Sequence, residues 1–257
     1  MINWRRNRYT LIILAIALAA LGTAIYYGRQ PGGNPETLWK IVSQKCVPNQ
    51  QQHGQPAPCS EVNLAAGYVV LKDLNGPLQY LLMPVAKITG IESPRVLEAG
   101  TPNFFADAWQ ARRYLAEKRG ASIPDSALAL TVNSVSGRTQ NQLHIHISCL
   151  RPDVRRQLDA EAPAILTTWH PLTAPIMGHL YLAKRITADE LAAHSPFLNL
   201  AQEVPDAADK MGHYGLAVVP LADGAFALLA SKRNLLRMNR ASIEEIQDHT
   251  CAILRQL

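Results

Sequence analysis

The sequence has no long run of basic residues. Its formal net charge of +5 is spread along 257 residues, which gives mild attraction to anionic phosphate or membrane surfaces and argues against nucleic-acid binding. No acidic cluster with metal-ligand spacing accompanies its histidines, so the pattern calls for no metal and no other cofactor. Aromatic residues make up only 6% of the chain, yet 48% is hydrophobic, enough for a real core. The length permits one large domain or two small ones.

Charge is also missing from Tyr9 to Gly28, and Leu11 to Ile25 is almost wholly apolar. About 20 such residues suffice to cross the hydrocarbon core of a bilayer. Arg5, Arg6 and Arg8 precede the run and only Arg29 follows closely, so the positive-inside rule leaves the N-terminus in the cytoplasm. Residues 1–28 are therefore expected to form a cytoplasmic stub and one transmembrane helix. A cleaved signal peptide ending at Ala17-Leu18-Ala19 is the competing reading, but the apolar run continues past that point. Either way the body of the protein lies outside the cytoplasm. Residues 29–36, rich in Gly and Pro, read as a linker, and residues 37–257 as the extracytoplasmic catalytic domain.

In an oxidising compartment a Cys46–Cys59 disulfide would close a Pro-containing segment that cannot build its own core, and Cys149 and Cys251 would pair by elimination. This is one of three possible connectivities. Cys149 as a nucleophile or metal ligand is the alternative.

Beyond the linker, a short helix is expected at Thr37–Ser43. Tyr68–Asp73 and Leu78–Met83 flank Asn75-Gly76 as a hairpin, with Lys72 and Asp73 read as solvated charges. Thr101 as N-cap and Pro102 at the first helical position open a helix that stops at Gly120. Ser126–Asn133 reads as a strand. Asp153 and Ser195 read as helix starts, and Thr187–Glu190 and Ser242–Glu245 fit capping boxes. Gly215–Ser231 looks like a second hairpin that echoes Gly67–Met83, the pattern of a degenerate internal duplication. The expectation is an α+β fold with an antiparallel sheet and packed helices.

The chemistry concentrates in Arg138–Leu150. Gln142, His144 and His146 alternate with Leu143, Ile145 and Ile147, so three polar side chains share one strand face and three apolar ones bury the other. The preceding polar loop, Asn133–Asn141, contains Gly137 and can present backbone N–H groups and a guanidinium to a phosphate. Arg138, Gln140, Asn141, Gln142 and Asn133 are thus candidates to bind phosphoryl oxygens. A neutral imidazole is a competent nucleophile near neutral pH, which makes His144 and His146 the catalytic candidates. His170, His179, His194, His213 and His249 share no spacing and read as surface or satisfied histidines.

A polar donor loop leading into a histidine strand resembles the histidine-triad superfamily, whose signature is His-x-His-x-His. Gln142 stands at the first position here. The resemblance implies that His144 is the nucleophile and that His146 contacts phosphate and assists the leaving oxygen. Gln142 keeps a hydrogen-bonding group without a charge. It also implies a histidine-triad-like sheet.

Longer strings are similar to the membrane-bound bacterial CDP-diacylglycerol pyrophosphatase family. These are Cys-x-Pro-Asn-Gln-Gln-Gln from Cys46, Gly-Tyr-Val-Val-Leu-Lys-Asp-Leu-Asn-Gly-Pro-Leu-Gln-Tyr from Gly67, Gly-Arg-Thr-Gln-Asn-x-x-His-Ile-His-Ile-Ser-Cys from Gly137, and Ala-Ser-x-Glu-Glu-Ile-Gln-Asp-His from Ala241. That resemblance implies hydrolysis of a lipid-linked nucleotide, CDP-diacylglycerol, to CMP and phosphatidate. The enzyme would sit in the bacterial inner membrane with its catalytic domain on the periplasmic side. Two alternatives stay open: a metal-dependent hydrolase with His144 and His146 as ligands, and a non-catalytic nucleotide-lipid binding module.

Overall fold

The computed structural model describes residues 12–18 and 33–255. Residues 12–18 are helical. The rest of the expected membrane span lies outside the described residues, and no described helix is long and apolar enough to cross a membrane. A separate compact unit begins at Glu36, and all that follows concerns it.

Its strands are Glu61–Asn63 (β1), Tyr68–Lys72 (β2), Tyr80–Pro84 (β3), Leu128–Val132 (β4), Ile145–Cys149 (β5), His170–Pro171 (β6), Leu182–Ile186 (β7), Tyr214–Pro220 (β8) and Phe226–Lys232 (β9). They form one sheet in the order β1-β2-β3-β5-β4-β8-β9-β7-β6, with every pairing antiparallel. The β2–β3 hairpin forms around Asn75-Gly76 as expected. Gly76 adopts φ +63 there, and the backbone of His249 leaves no room for a Cβ.

Alternation sends Val70, Leu82, Leu130, Ile145, Ile147 and Leu216 to one face of the sheet. Helices Phe104–Ala111, Arg113–Arg119, Ala188–Ala193 and Pro196–Glu203 accompany that face, with Phe105 and Phe197 rings 5.1 Å apart. The opposite face has two separate covers. The helical segment from Thr37 to His53 packs Val42 and Cys46 on Val69, Leu71, Leu81 and Met83. Helix Pro152–Glu161 and the turn Ile243–Ile246 cover Ala129, Ala217 and Val219. His146 pairs across the strands with Leu81 and Thr131, so it emerges between the two covers.

Several local expectations shift for physical reasons. The helix at Thr37 runs on to His53, because a π-helical turn, Val42–Cys46, precedes Pro48 and accommodates its missing N–H. The Cys46–Cys59 disulfide pins that segment, and Cys149–Cys251 is the second bond. The helix expected from Thr101 starts at Phe104, where the Asn103 side chain accepts from the Ala106 N–H at 3.3 Å. It breaks at Arg112 and restarts, then stops at Gly120, φ +71. Asp153 is not an N-cap; it pairs with Arg151 at 2.9 Å.

Thr187–Glu190 makes both capping-box bonds. Ser242 makes none, and Ile243–Ile246 is a single 3-10 turn. The second hairpin is β8–β9. Counted outward from the β4–β8 seam, it holds the places of β4 and β5 rather than those of β2 and β3.

Candidate active site

Gln142 lies three residues ahead of the first residue of β5, Ile145. It is fully buried, and its amide donates to the carbonyls of Pro84 at 2.9 Å and Ala86 at 3.0 Å. Together with the Leu143 N–H to Ile88 carbonyl bond of 2.6 Å, this docks the strand entry onto the chain that leaves β3. The turn places His144 beside His146 with ring centroids 4.8 Å apart, edge to face.

His144 Nδ1 lies 2.6 Å from the Gln142 carbonyl oxygen. A carbonyl only accepts, so Nδ1 carries the proton and the Nε2 lone pair is left available. Burial, with His146 adding to it, lowers the His144 pKa to about 4. The ring is therefore neutral at physiological pH, the state a nucleophile needs.

Burial also lowers the pKa of His146, opposed by Glu244 and Asp73. Its Nδ1 faces Glu244 Oε1 at 3.4 Å and Gln79 Nε2 at 3.1 Å. Gln79 Nε2 also reaches Asp73 Oδ2 at 2.7 Å and Glu244 Oε1 at 3.1 Å. Its two N–H groups cannot serve all three neighbours. A lone pair on Nδ1 facing a carboxylate oxygen is repulsive, so the set is satisfied when Nδ1 is protonated toward Glu244 and Gln79 serves both carboxylates.

Glu244 is held in turn. Asn133 donates to its Oε2 at 3.3 Å and accepts from its backbone N–H at 3.1 Å. Burial alone would raise its pKa, but His146, Gln79, His249 and Asn133 more than offset that, and the net shift is downward. The carboxylate is thus ionised against the imidazole.

These groups open onto a cavity of about 560 Å³, a size suited to a small-molecule ligand. Leu38, Ile41, Pro58, Leu71, Leu74 and Leu81 form an apolar wall, and Lys45, Lys72, Asn133, Thr139 and Gln140 add polar groups. Lys72, read from sequence as solvated, borders the cavity. Its ammonium donates to the Asp73 and Gly76 carbonyls at 2.6 and 2.8 Å. Lys45 is exposed at the rim with no ion pair among the described residues.

Of the expected phosphate binders, Asn133, Arg138 and Gln140 line the cavity; Asn141 and Gln142 do not. Arg138 is committed elsewhere. Its guanidinium makes a two-point ion pair with Glu92, one contact being 2.8 Å. Asn141 accepts from Arg138 at 3.5 Å and bonds Glu36. Gln140 Oε1 accepts from the Leu38 N–H at 3.1 Å, which ties the loop to the helical wall. The residues missed were Glu244 and Gln79. Only the string from Ala241 pointed toward Glu244. Among the described residues no group of three His, Cys, Asp or Glu is placed to hold a metal ion.

A family profile described as CDP-diacylglycerol pyrophosphatase matches residues 33–255. The match spans nearly the whole chain, and the chain belongs to that family. It is accordingly a hydrolase acting on a pyrophosphate bond, with the lipid-linked nucleotide CDP-diacylglycerol as the substrate the family implies.

Proposed function

We propose that this family member cleaves CDP-diacylglycerol by a covalent route. His144 Nε2 attacks the cytidylyl phosphorus in line with the bridging oxygen. The P–O bond to that oxygen breaks, phosphatidate leaves with the electron pair, and CMP is joined to His144 through a P–N bond. The Gln142 carbonyl accepts from Nδ1 throughout and so stabilises the positive ring of the adduct. Water then attacks the phosphorus, His146 Nε2 takes its proton, and CMP departs as His144 returns to neutral. Glu244 stabilises the imidazolium formed on His146. This gives His146 the base's part in the second step. Lys72, Lys45, Asn133 and Gln140 border the space in which phosphoryl charge is stabilised, and positioning and electrostatics carry most of such catalysis.

The observation that carries this reading is the 2.6 Å contact from His144 Nδ1 to a carbonyl, which leaves a neutral Nε2 as nucleophile. Trapping tests it. The protein is mixed with CDP-diacylglycerol in detergent with EDTA, quenched without acid and examined by mass spectrometry for CMP on the His144 peptide. An adduct that forms and decays at the turnover rate supports the covalent route. Full activity in His144→Asn would sink it. CMP release that needs added zinc would favour His144 and His146 as metal ligands, and binding without release would mark a non-catalytic module.

The order of strands outward from the β4–β8 seam supports reading the sheet as a duplicated histidine-triad-like unit whose second half, with Leu221–Ala225 between β8 and β9, lost its histidines. Failure of residues 61–149 to superpose on 170–232 strand for strand would remove that reading. Two disulfides and the N-terminal apolar run preceded by arginines support a single-pass inner-membrane protein with its catalytic domain in the periplasm. Protease added to intact spheroplasts should cut the catalytic domain; full protection would place it in the cytoplasm.

A further inference from the structure

After β9 the chain forms a short projection, Asn234–Asn239, closed by a bridge between its two asparagines. Asn239 is buried, donating to Ser231 Oγ at 3.0 Å and accepting from the Ala241 N–H at 2.7 Å. The base is therefore fixed, while the tip is bare. Leu236 is 99% exposed, Met238 85% and Leu235 59%. Scattered apolar residues on a surface need no explanation, but three on one six-residue tip do. Met238 has φ 56, a left-handed conformation that glycine would adopt without cost, and yet the position carries a long apolar side chain.

The chain within and beside the tip is cationic. Lys232, Arg233, Arg237 and Arg240 flank or share the tip, and Ser231 to Ala241 contains no acidic residue. None of the four is ion-paired among the described residues: Arg233 bonds Ser136 and His213, and Lys232 lies over the Tyr214 ring. Exposed leucines and a methionine ringed by unpaired lysine and arginine are complementary to one surface, the interface of an anionic bilayer. There the apolar tip enters the acyl boundary and the cations meet phosphates. We infer that residues 234–239 form a membrane-inserting tip that docks the catalytic unit onto anionic phospholipid.

This contact is independent of the N-terminal apolar run and of the covalent mechanism. It also bears on the site. Arg233 donates to Ser136 at 2.8 Å, and Ser134 Oγ donates to the Arg240 carbonyl at 2.5 Å. Both serines belong to the loop that borders the catalytic cavity, and the chain continues from Arg240 directly to Glu244.

All four cysteines are in disulfides, so an introduced thiol can be labelled alone. The full chain carrying Leu236→Cys with an environment-sensitive fluorophore is reconstituted in phosphatidylglycerol vesicles and, separately, in phosphatidylcholine vesicles. Ala222→Cys, in the exposed turn at the other end of the β8–β9 hairpin, is the control. A blue shift with several-fold brighter emission at 236 in the anionic vesicles supports the inference, provided acyl-chain nitroxides quench it and iodide does not. It should be weaker in phosphatidylcholine, lost on adding Arg237→Glu and Arg240→Glu, and absent at 222. Emission at 236 open to iodide in both vesicles overturns it. So does an equal shift in the two lipids, or a shift in detergent that grows with protein concentration, which would identify a second copy of the chain as the occupant.

Discussion

Glu244 Oε1 stands 3.4 Å from His146 Nδ1, joining the last part of the chain to the central strand. The carboxylate is ionised and anchored by Asn133, so it orients His146 and favours its cationic form. In the proposed route that form appears only in the second step. Glu244→Gln is therefore expected to lower kcat by about 10²-fold, within the usual range for acid–base assistance. The adduct on His144 should accumulate, because its formation is spared and its hydrolysis is not. Single-turnover quenching followed by mass spectrometry of the His144 peptide reads this directly. An equal loss in adduct formation and decay would show that Glu244 serves the fold rather than the second step.

The nucleophile should be insensitive to mild acid. A histidine at 6.5 is only about 3% neutral at pH 5, so an ordinary His144 would lose most of its activity there. Burial lowers its pKa to about 4, and a lowered pKa means that the neutral form persists on the acid side until that value is reached. The acid limb of kcat/KM is expected near 4 rather than 6.5, measured as CMP release from pH 3.5 to 8. His144→Asn should cost on the order of 10⁶-fold, as loss of a nucleophile does in comparable catalytic units.

Sequence reading found the histidine pair because strand alternation is a local property, and it found the β2–β3 hairpin because Asn75-Gly76 is a local turn. Partners were not legible. Arg138 has the right chemistry for phosphate, but Glu92, 46 residues earlier, takes its guanidinium. Glu244 sat unassigned inside the Ser242–Glu245 capping pattern, whose capping glutamate is Glu245. Long-range ties make Glu244 a site residue: Gln247 donates to the Ala129 and His146 carbonyls at 2.7 and 3.2 Å, and Cys251 is bonded to Cys149. Gln142, three residues before the strand begins, gives its amide to the distant Pro84 and Ala86 carbonyls.

Arg138 and Glu92 should behave as one unit. The arginine side chain is 9% exposed and the glutamate 29%, and removing one partner of such a pair leaves the other poorly solvated. Arg138→Ala and Glu92→Ala are each expected to destabilise by about 3 kcal/mol, the low end for buried pairs because Glu92 keeps some water. The double variant should cost little more than either single one. Arg138→Lys should rescue poorly, since an ammonium cannot make the two-point contact. Urea unfolding of the four proteins completes the cycle. Additive losses would mean that the pair contributes little, and would return Arg138 to the list of phosphate binders.

The two disulfides should fail differently. Cys149–Cys251 closes a separation of 102 residues and Cys46–Cys59 one of 13. On chain entropy the first is worth about 4.7 kcal/mol and the second about 3. Cys149→Ser with Cys251→Ser should therefore lower stability more in denaturant titrations. It should also lower kcat, because Cys251 holds the segment that delivers Glu244 and Gln247. Cys46→Ser with Cys59→Ser loosens the helical segment whose Leu38, Ile41 and Lys45 line the cavity, away from the histidines. Its expected signature is a raised KM for CDP-diacylglycerol with kcat nearly kept. Should the second pair instead reduce kcat as strongly as the first, the helical wall would have to act on the chemical step and not only on substrate binding.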